Sequence, residues 1–215
     1  MTTAVESSPE LLALHAVRLK GMADDDAVAA RFGLDPAVAG ELLLDFQAFG
    51  WVTRVDFAGT GGWTLTGAGV AENERQLTRE LAVTDSREVI YRAYVAFLPQ
   101  NDRLLHASTD WQLRPSTADP LAANDHTDAE WDRRVLEALS VLSHALGAVC
   151  LTLSSRLARF AGYDDRFSTA LERAKRGEHS WVNQPRADSC HTVWMELHED
   201  LVATLGIQRG AEPTG

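Results

Sequence analysis

The chain has 215 residues, 45% of them hydrophobic and 24% charged, and its 31 acidic and 20 basic side chains give a net charge of −11 at pH 7. This length supports one domain or two small domains with hydrophobic cores, and the apolar fraction excludes a wholly disordered chain. The acidity excludes a broadly basic nucleic-acid-binding protein, because a negative surface repels phosphates.

Three helices are predicted in the first 50 residues. The first covers residues 9–20, with a proline at its start and a glycine after its end. Aspartates 24–26 precede a second helix at 27–31, where the helix dipole favours negative charge. Asp35 is the predicted N-cap of a third helix, which starts with a proline and ends near residues 49–50.

The hydrophobic period changes from 3.6 to 2 after the third helix. Residues 51–57 alternate as in a half-buried strand, residues 58–62 are a glycine-rich turn, and residues 63–66 return as a second strand. Thr66 is the predicted N-cap of a fourth helix over residues 67–81. The predicted order is therefore helix, helix-turn-helix, β-hairpin and helix.

This order resembles the winged helix-turn-helix transcriptional regulators of the MarR and PadR type. The segment AVAARFGLDPAVAGELLLDFQAFGWV is similar to their helix-turn-helix and its exit, and GWTLTGAG is similar to the second wing strand and the helix that follows. The resemblance covers residues 9–81. It implies a bacterial regulator that binds duplex DNA, with the third helix in the major groove and the wing against phosphates.

The charges of this segment oppose DNA binding. Residues 1–81 carry six basic and twelve acidic side chains, and the third helix has no lysine or arginine but does have Glu41 and Asp45. A winged helix that contacts protein instead of DNA is therefore the alternative. The candidate DNA-contacting residues are Arg31, Gln47, Arg54 and Arg75.

Residues 84–208 are predicted to form an all-α domain for ligand sensing and dimerisation. Asp85 and Glu88 predict a capping box, and the helix that it starts is kinked or restarted at Pro99. A long polar loop covers residues 112–125, and such loops often carry function. The further elements are a capping box at 127–130, an apolar helical register from Trp131 to Phe160, and helices at 164–176 and 189–205.

Histidine and tryptophan are concentrated after residue 100, which indicates an interior pocket for a small-molecule effector. His191 and His198 share one face of the last helix with Trp194, while Glu196, Glu199 and Asp200 point away. The start of the helix near residue 128 can bind an anion. The alternatives are buried, hydrogen-bonded histidines and core tryptophans. The candidate pocket residues are His106, Trp111, Arg114, His126, Trp131, His191, Trp194 and His198.

A divalent metal is a further hypothesis for the C-terminal domain. Asp102 and His106 lie one turn apart on a predicted helix, and with His191 and His198 they offer carboxylate and imidazole ligands, which suit zinc or manganese. An exposed Asp–His pair is the alternative explanation of the first two residues.

Catalytic motifs are absent from the sequence, and we therefore expect no enzyme; a metal-dependent helical-bundle enzyme is the third hypothesis. Cys190 at a helix start beside His191 is a candidate for a lowered pKa, although adjacent helical residues diverge by about 100° and form no Cys–His couple. Two cysteines cannot build a disulfide framework, no run approaches 18 apolar residues, and the acidic N-terminus is unlike a secretory signal. We expect a cytoplasmic homodimer without a membrane segment.

Overall fold

The computed structural model describes residues 4–57, 60–185 and 187–207. It is mainly helical, with 70% helix and 8% strand, and a two-stranded antiparallel sheet follows the third helix. Short 3-10 helices lie at Ala158–Phe160 and His179–Val182. The elements are α1 Pro9–Lys20, α2 Asp25–Phe32, α3 Pro36–Ala48, β1 Val52–Phe57, β2 Thr60–Leu65, α4 Gly67–Thr84, α5 Arg87–Gln112, α6 Ala129–Ser154, α7 Tyr163–Lys175 and α8 Cys190–Leu205.

The chain forms two compact units. The first contains the described residues of 1–88, 155–159 and 199–212, and the second contains those of 89–154 and 160–198. The boundary falls inside α8, so the C-terminal half of this helix belongs to the first unit. The sequence pattern had placed all of α8 in one C-terminal domain.

The predicted starts of α1 and α3 are confirmed, whereas α2 begins at Asp25, two residues before its predicted start. Ser8 Oγ accepts a hydrogen bond from the Leu11 amide at the start of α1. Asp24 accepts one from the Ala27 amide at 2.8 Å, and Asp35 accepts one from the Ala37 amide at 2.8 Å. These side chains satisfy amide groups that lack partners within the helix, which is why short polar residues precede each apolar segment.

The core of the first unit is formed by the predicted apolar faces. α1 contributes Leu14 and Val17, and α3 contributes Leu43 and Phe46, all at most 2% exposed. Trp63 of β2 packs into the same cluster. Each buried side chain of this size stabilises the folded state by about 1.5–3 kcal/mol.

The hairpin is longer than predicted. β2 begins at Thr60, so Gly61 and Gly62, which were predicted to lie in the turn, pair with β1 instead. A Cβ atom on Gly62 would lie 3.0 Å from the backbone of Ala23. Glycine therefore permits this close approach, and Ala23 exchanges two backbone hydrogen bonds with Trp63. Residues 58 and 59 of the predicted turn lie outside the described residues.

The predicted start of α4 is confirmed, whereas its predicted end is not. Thr66 Oγ1 accepts from the Gly69 amide at 3.1 Å, which confirms the predicted N-cap. The helix continues to Thr84, three residues beyond its predicted end. Asp85 has a left-handed backbone (φ +48°) and ends α4. The predicted capping box from Asp85 is therefore wrong, because that residue terminates one helix instead of starting the next.

In the second unit α5 runs without a break through Pro99. At the start of α6 the cap is Asp128, whose Oδ1 accepts from the amides of Glu130 and Trp131 at 3.1 Å. The predicted cap, Thr127, bonds to Asp125 instead. The N-cap thus lies one residue later than predicted, and because Trp131 then occupies the position of the capping-box acid, the predicted capping box is wrong.

The apolar register of α6 outlasts the helix. The helix ends at Ser154, whereas the register was predicted to continue to Phe160. The reason lies in the first unit, where Val5 donates to the Arg156 carbonyl at 2.9 Å and accepts from the Ala158 amide at 3.0 Å. These backbone groups are used in a short parallel bridge and not in a continued helix.

Among the described residues, α6 is the one helix that is long and apolar enough to cross a membrane. Its most apolar 18-residue window has a mean hydropathy of 1.7, and 28% of that window is buried. Core helices of soluble proteins meet the same criteria, so this composition is weak evidence for a membrane span. It does show that much apolar surface of α6 is uncovered in the single chain.

Candidate DNA-contacting surface and ligand sites

The third helix buries one face and exposes the other. Leu43 and Phe46 lie in the core, whereas Leu44 is 61% exposed. Glu41 and Asp45 are also exposed on this outer face. The outer face of α3 therefore combines apolar and acidic side chains and carries no cation.

The four candidate DNA-contacting residues have different surroundings. Gln47 and Arg54 are exposed, and the Arg54 guanidinium lies 5.3 Å from the Trp63 ring centroid. Arg75 pairs with Glu72 through two hydrogen bonds. Arg31 is half-buried, and its guanidinium lies over the Phe32 ring. Gln47 and Arg54 are thus the two candidates with exposed side chains for which the described residues show no ion pair.

A buried polar network lies inside the first unit. His15 of α1 is fully buried, with Nδ1 3.1 Å from Asn73 Oδ1 and Nε2 3.0 Å from Asp200 Oδ1. Asp200 in turn pairs with Arg159, which also donates to Glu80 at 3.0 Å. The network joins α1, α4 and α8 through charges that are withdrawn from water.

The network holds Asp200 in its charged form. Burial raises the pKa of the carboxyl group, but the charges of Arg159 and His15 and the hydrogen bond from His15 outweigh it and hold the pKa of Asp200 well below its usual range. Thr204 adds a hydroxyl that accepts from Arg159 at 2.8 Å. The prediction that Asp200 and Glu196 point away from the interior is wrong, since they are 0% and 4% exposed. The face of α8 that carries Asp200 and Glu196 is therefore buried, and so is its apolar face.

The predicted pocket residues do not form one site. His106 and Trp131 both line a groove of about 510 Å³ between α5 and α6. His106 is exposed, and its Nδ1 lies 2.7 Å from the carbonyl oxygen of Asp102 in its own helix. Trp131 donates from Nε1 to the Asp110 carbonyl. Arg134 stacks over the Trp131 ring at 5.1 Å, so the groove has an aromatic and cationic wall.

The residues of α8 lie in an aromatic cluster. Phe97 stacks on Trp194 with ring centroids 4.8 Å apart and contacts His198 at 5.7 Å. Trp194 donates from Nε1 to Asn101 Oδ1 at 3.2 Å. His191 is half-buried, and burial lowers its pKa. This environment agrees with the alternative of core histidines and tryptophans in α8.

A third group surrounds the start of α6. The Trp111 ring lies 4.5 Å from His126 and 5.6 Å from His179, and the two imidazole centroids are 4.4 Å apart. Arg114 pairs with Asp128 at 3.0 Å. The structure therefore brings together Trp111 and His126, as predicted for a pocket, and adds His179.

The same place contains a buried carboxylate. Asp132 is 8% exposed, and His126 Nδ1 lies 3.0 Å from its Oδ2. Asn124 Nδ2 donates to Asp132 Oδ1 at 2.9 Å and to the Trp111 carbonyl at 3.1 Å. Ligand atoms of His126, Asp132 and His179 all lie within 4.8 Å of one another. Asp132 and His179 are not among the predicted site residues. Acidic residues are common in the first turn of a helix, so the sequence position of Asp132 does not indicate a site.

The predicted metal ligands are arranged differently. Within the described parts of the chain, His126, Asp132 and His179 are the one group of three or more side chains whose potential metal-ligand atoms lie close together. Asp102, His106, His191 and His198 do not form such a group.

The cysteines are buried and free. Burial raises the pKa of Cys150 and of Cys190 to about 12. The expectation of a lowered pKa at Cys190 is therefore wrong, since loss of hydration outweighs the position at a helix start. Neither thiol is suited to act as a nucleophile.

Comparisons of the chain with protein-family models, with curated proteins and with solved structures give no match.

Proposed function

We propose that this protein is a bacterial transcriptional regulator that binds duplex DNA through a winged helix-turn-helix and dimerises and senses a small molecule through its C-terminal helices. The observation that carries the proposal is the order α1–α2–α3–β1–β2–α4, in which α3 is anchored by Leu43 and Phe46 while its opposite face is open to solvent. This is the arrangement that a recognition helix needs to enter a major groove.

The contacts that we propose divide between bases and phosphates. Gln47, exposed near the end of α3, has an amide that suits adenine edges. Arg54 on β1 is the cation of the wing and would contact a phosphate. The module thus relies on few phosphate contacts, and we expect a weak dependence of affinity on salt compared with basic regulators.

Dimerisation would use the uncovered face of α6. Val141 and Leu151 are 61% and 74% exposed, and with His144 and Ala148 they follow a 3-4-3 spacing along the exposed helix face. This spacing is typical of helices that pack side by side against a partner helix. A second copy of the chain is the proposed occupant, because paired winged helices read two half-sites.

The groove between α5 and α6 is the proposed effector site. Its volume of about 510 Å³ falls in the range that holds a small organic ligand. Trp131 and Val135 supply apolar walls, while Arg103 and Arg134 supply positive charge. An aromatic or aliphatic carboxylate matches this combination.

A second candidate function is contact with another protein through the same helix. Val38 and Leu44 are 42% and 61% exposed, and Phe49 just after α3 is 63% exposed. Apolar side chains beside Glu41 and Asp45 would suit a basic, apolar partner better than a phosphate backbone.

Charge reversal on α3 separates the two candidates. With a labelled duplex from the gene's own upstream region, Glu41→Lys and Asp45→Lys should each raise DNA affinity, because each replaces a repulsive charge by an attractive one. Glu172→Lys on α7, which is also exposed, is the matched control. If wild type and variants all fail to bind duplex DNA at low salt, the regulator proposal is rejected in favour of the protein-contact candidate.

A further inference from the structure

We infer that His126, Asp132 and His179 form a binding site for one first-row divalent cation of the zinc class. The inference concerns the second unit alone and stands independently of DNA binding. Two imidazoles and one carboxylate are the ligand set of many zinc sites and of other divalent metals with open coordination positions.

The distances fit such an ion with small movements. His126 Nδ1 and Asp132 Oδ2 are 3.0 Å apart. Two ligands placed about 2.05 Å from a tetrahedral metal are separated by about 3.3 Å. The third ligand atom, from His179, lies within 4.8 Å of the other two. A cation can therefore take the place of the direct contact between His126 and Asp132 if the exposed His179 side chain moves inward.

Among the described residues, no lysine or arginine pairs with the Asp132 carboxylate. Asp132 is buried against His126 and the neutral amide of Asn124. The two cations that line the adjoining cleft are used elsewhere, since Arg133 pairs with Glu130 and Glu137 and Lys175 pairs with Glu172. Burying a carboxylate is costly unless it is paired or coordinates a metal.

The neighbouring groups orient the ligands in advance. Asn124 holds Asp132 through Nδ2 and accepts the His126 amide hydrogen through Oδ1 at 3.1 Å. His126 has a left-handed backbone (φ +58°), which is uncommon for a residue with a side chain and is fixed here by that bond. Trp111 contacts both imidazole rings and donates to the His179 carbonyl at 3.2 Å. Supporting contacts of this kind accompany metal ligands in proteins.

The site also has room for a further ligand. His126, Asp132 and His179 all line one cleft of about 530 Å³. Water or a small oxygen ligand can therefore complete the coordination of the ion. Ser140 and Lys175 lie on the same cleft and add polar groups.

Calorimetric titration of the metal-free full-length protein with Zn²⁺ tests the inference. We expect about one ion per chain, and visible absorption bands of a low-symmetry site when Co²⁺ is used instead. His179→Gln and Asp132→Asn should each weaken binding by more than about 100-fold, and Asn124→Ala by about 10- to 100-fold. Circular dichroism of each variant without metal checks that it is folded.

The matched controls are His144→Gln and His106→Gln, which alter other exposed histidines of the same unit. They should bind Zn²⁺ as the wild type does. Absence of binding by the wild type, or equal affinity in folded His179→Gln, Asp132→Asn and wild-type proteins, would overturn the inference.

Discussion

His15 Nε2 lies 3.0 Å from Asp200 Oδ1, and both side chains are fully buried. The contact joins the first and last helices of the chain within one compact unit. Because Arg159 also pairs with Asp200, removal of the carboxylate charge leaves Glu80 alone to balance this buried guanidinium.

Asp200→Asn should lower the free energy of unfolding by about 3–5 kcal/mol at pH 7. The pKa of Asp200 is lowered in the folded state, so its stabilising effect is complete above the unfolded pKa of about 3.9 and is lost as the pH falls toward the folded value. The free energies of unfolding of the wild type and Asp200→Asn, measured with urea at pH 7 and in steps down to pH 3, should therefore approach one another as the pH falls. Asp102→Asn, on an exposed side chain, is the control. A cost below about 1 kcal/mol at pH 7 would mean that the network contributes little.

Gly69→Ala should destabilise the first unit. A Cβ atom at this position would lie 1.9 Å from the carbonyl oxygen of Trp51, and this backbone atom cannot be moved without disturbing the hairpin exit. We expect a loss of at least about 1–3 kcal/mol, measured by thermal unfolding. Gly67→Ala in the same helix meets no atom within 4 Å and should leave the melting temperature unchanged or raise it. Equal behaviour of the two variants would contradict the close approach.

Leu151→Asp should abolish the proposed dimer. The side chain is 74% exposed in the single chain, and a charge there would be buried without a partner in the proposed helix–helix contact. Sedimentation velocity over a range of concentrations measures the change. Leu121→Asp, at a loop residue with 73% exposure, should leave the association unaffected. A wild-type protein that is monomeric at all concentrations would refute the α6 dimer.

The two thiols should be unreactive in the folded protein. Burial raises the pKa of Cys150 and Cys190 to about 12, so almost no thiolate exists at pH 8 and access is blocked. A thiol-specific chromogenic reagent should label neither cysteine in buffer and both in denaturant. Rapid labelling of the native wild type that is lost in Cys190→Ser would contradict this prediction and show that the thiol at the start of α8 is reactive.

The elements that the sequence predicted well are fixed by neighbouring residues. The predicted caps Asp35 and Thr66 each bond an amide no more than three positions away, so the signal is contained in a short segment. The end of α6 at Ser154 depends instead on Val5, from the other end of the chain. The apolar register alone could not reveal that bridge.

The candidate ligand sites were less predictable for the same physical reason. His126 and Trp111 were singled out by residue type, but His179 meets Trp111 across 68 positions of sequence. Asp132 carries a side chain that is ordinary at a helix start, and its burial follows only from tertiary packing. The metal set proposed from spacing placed His106 and His198 together, whereas these side chains lie in the α5–α6 groove and in an aromatic cluster.

The salt dependence of DNA binding tests the central proposal most directly. Affinity for the upstream duplex would be measured by fluorescence anisotropy at several salt concentrations for the wild type, Arg54→Ala and the control Arg176→Ala. We predict specific binding whose salt slope falls by about one in Arg54→Ala, since one phosphate contact is lost, and is unchanged in Arg176→Ala. No binding at low salt, or an Arg54→Ala slope and affinity equal to those of the wild type, would contradict the proposed DNA recognition.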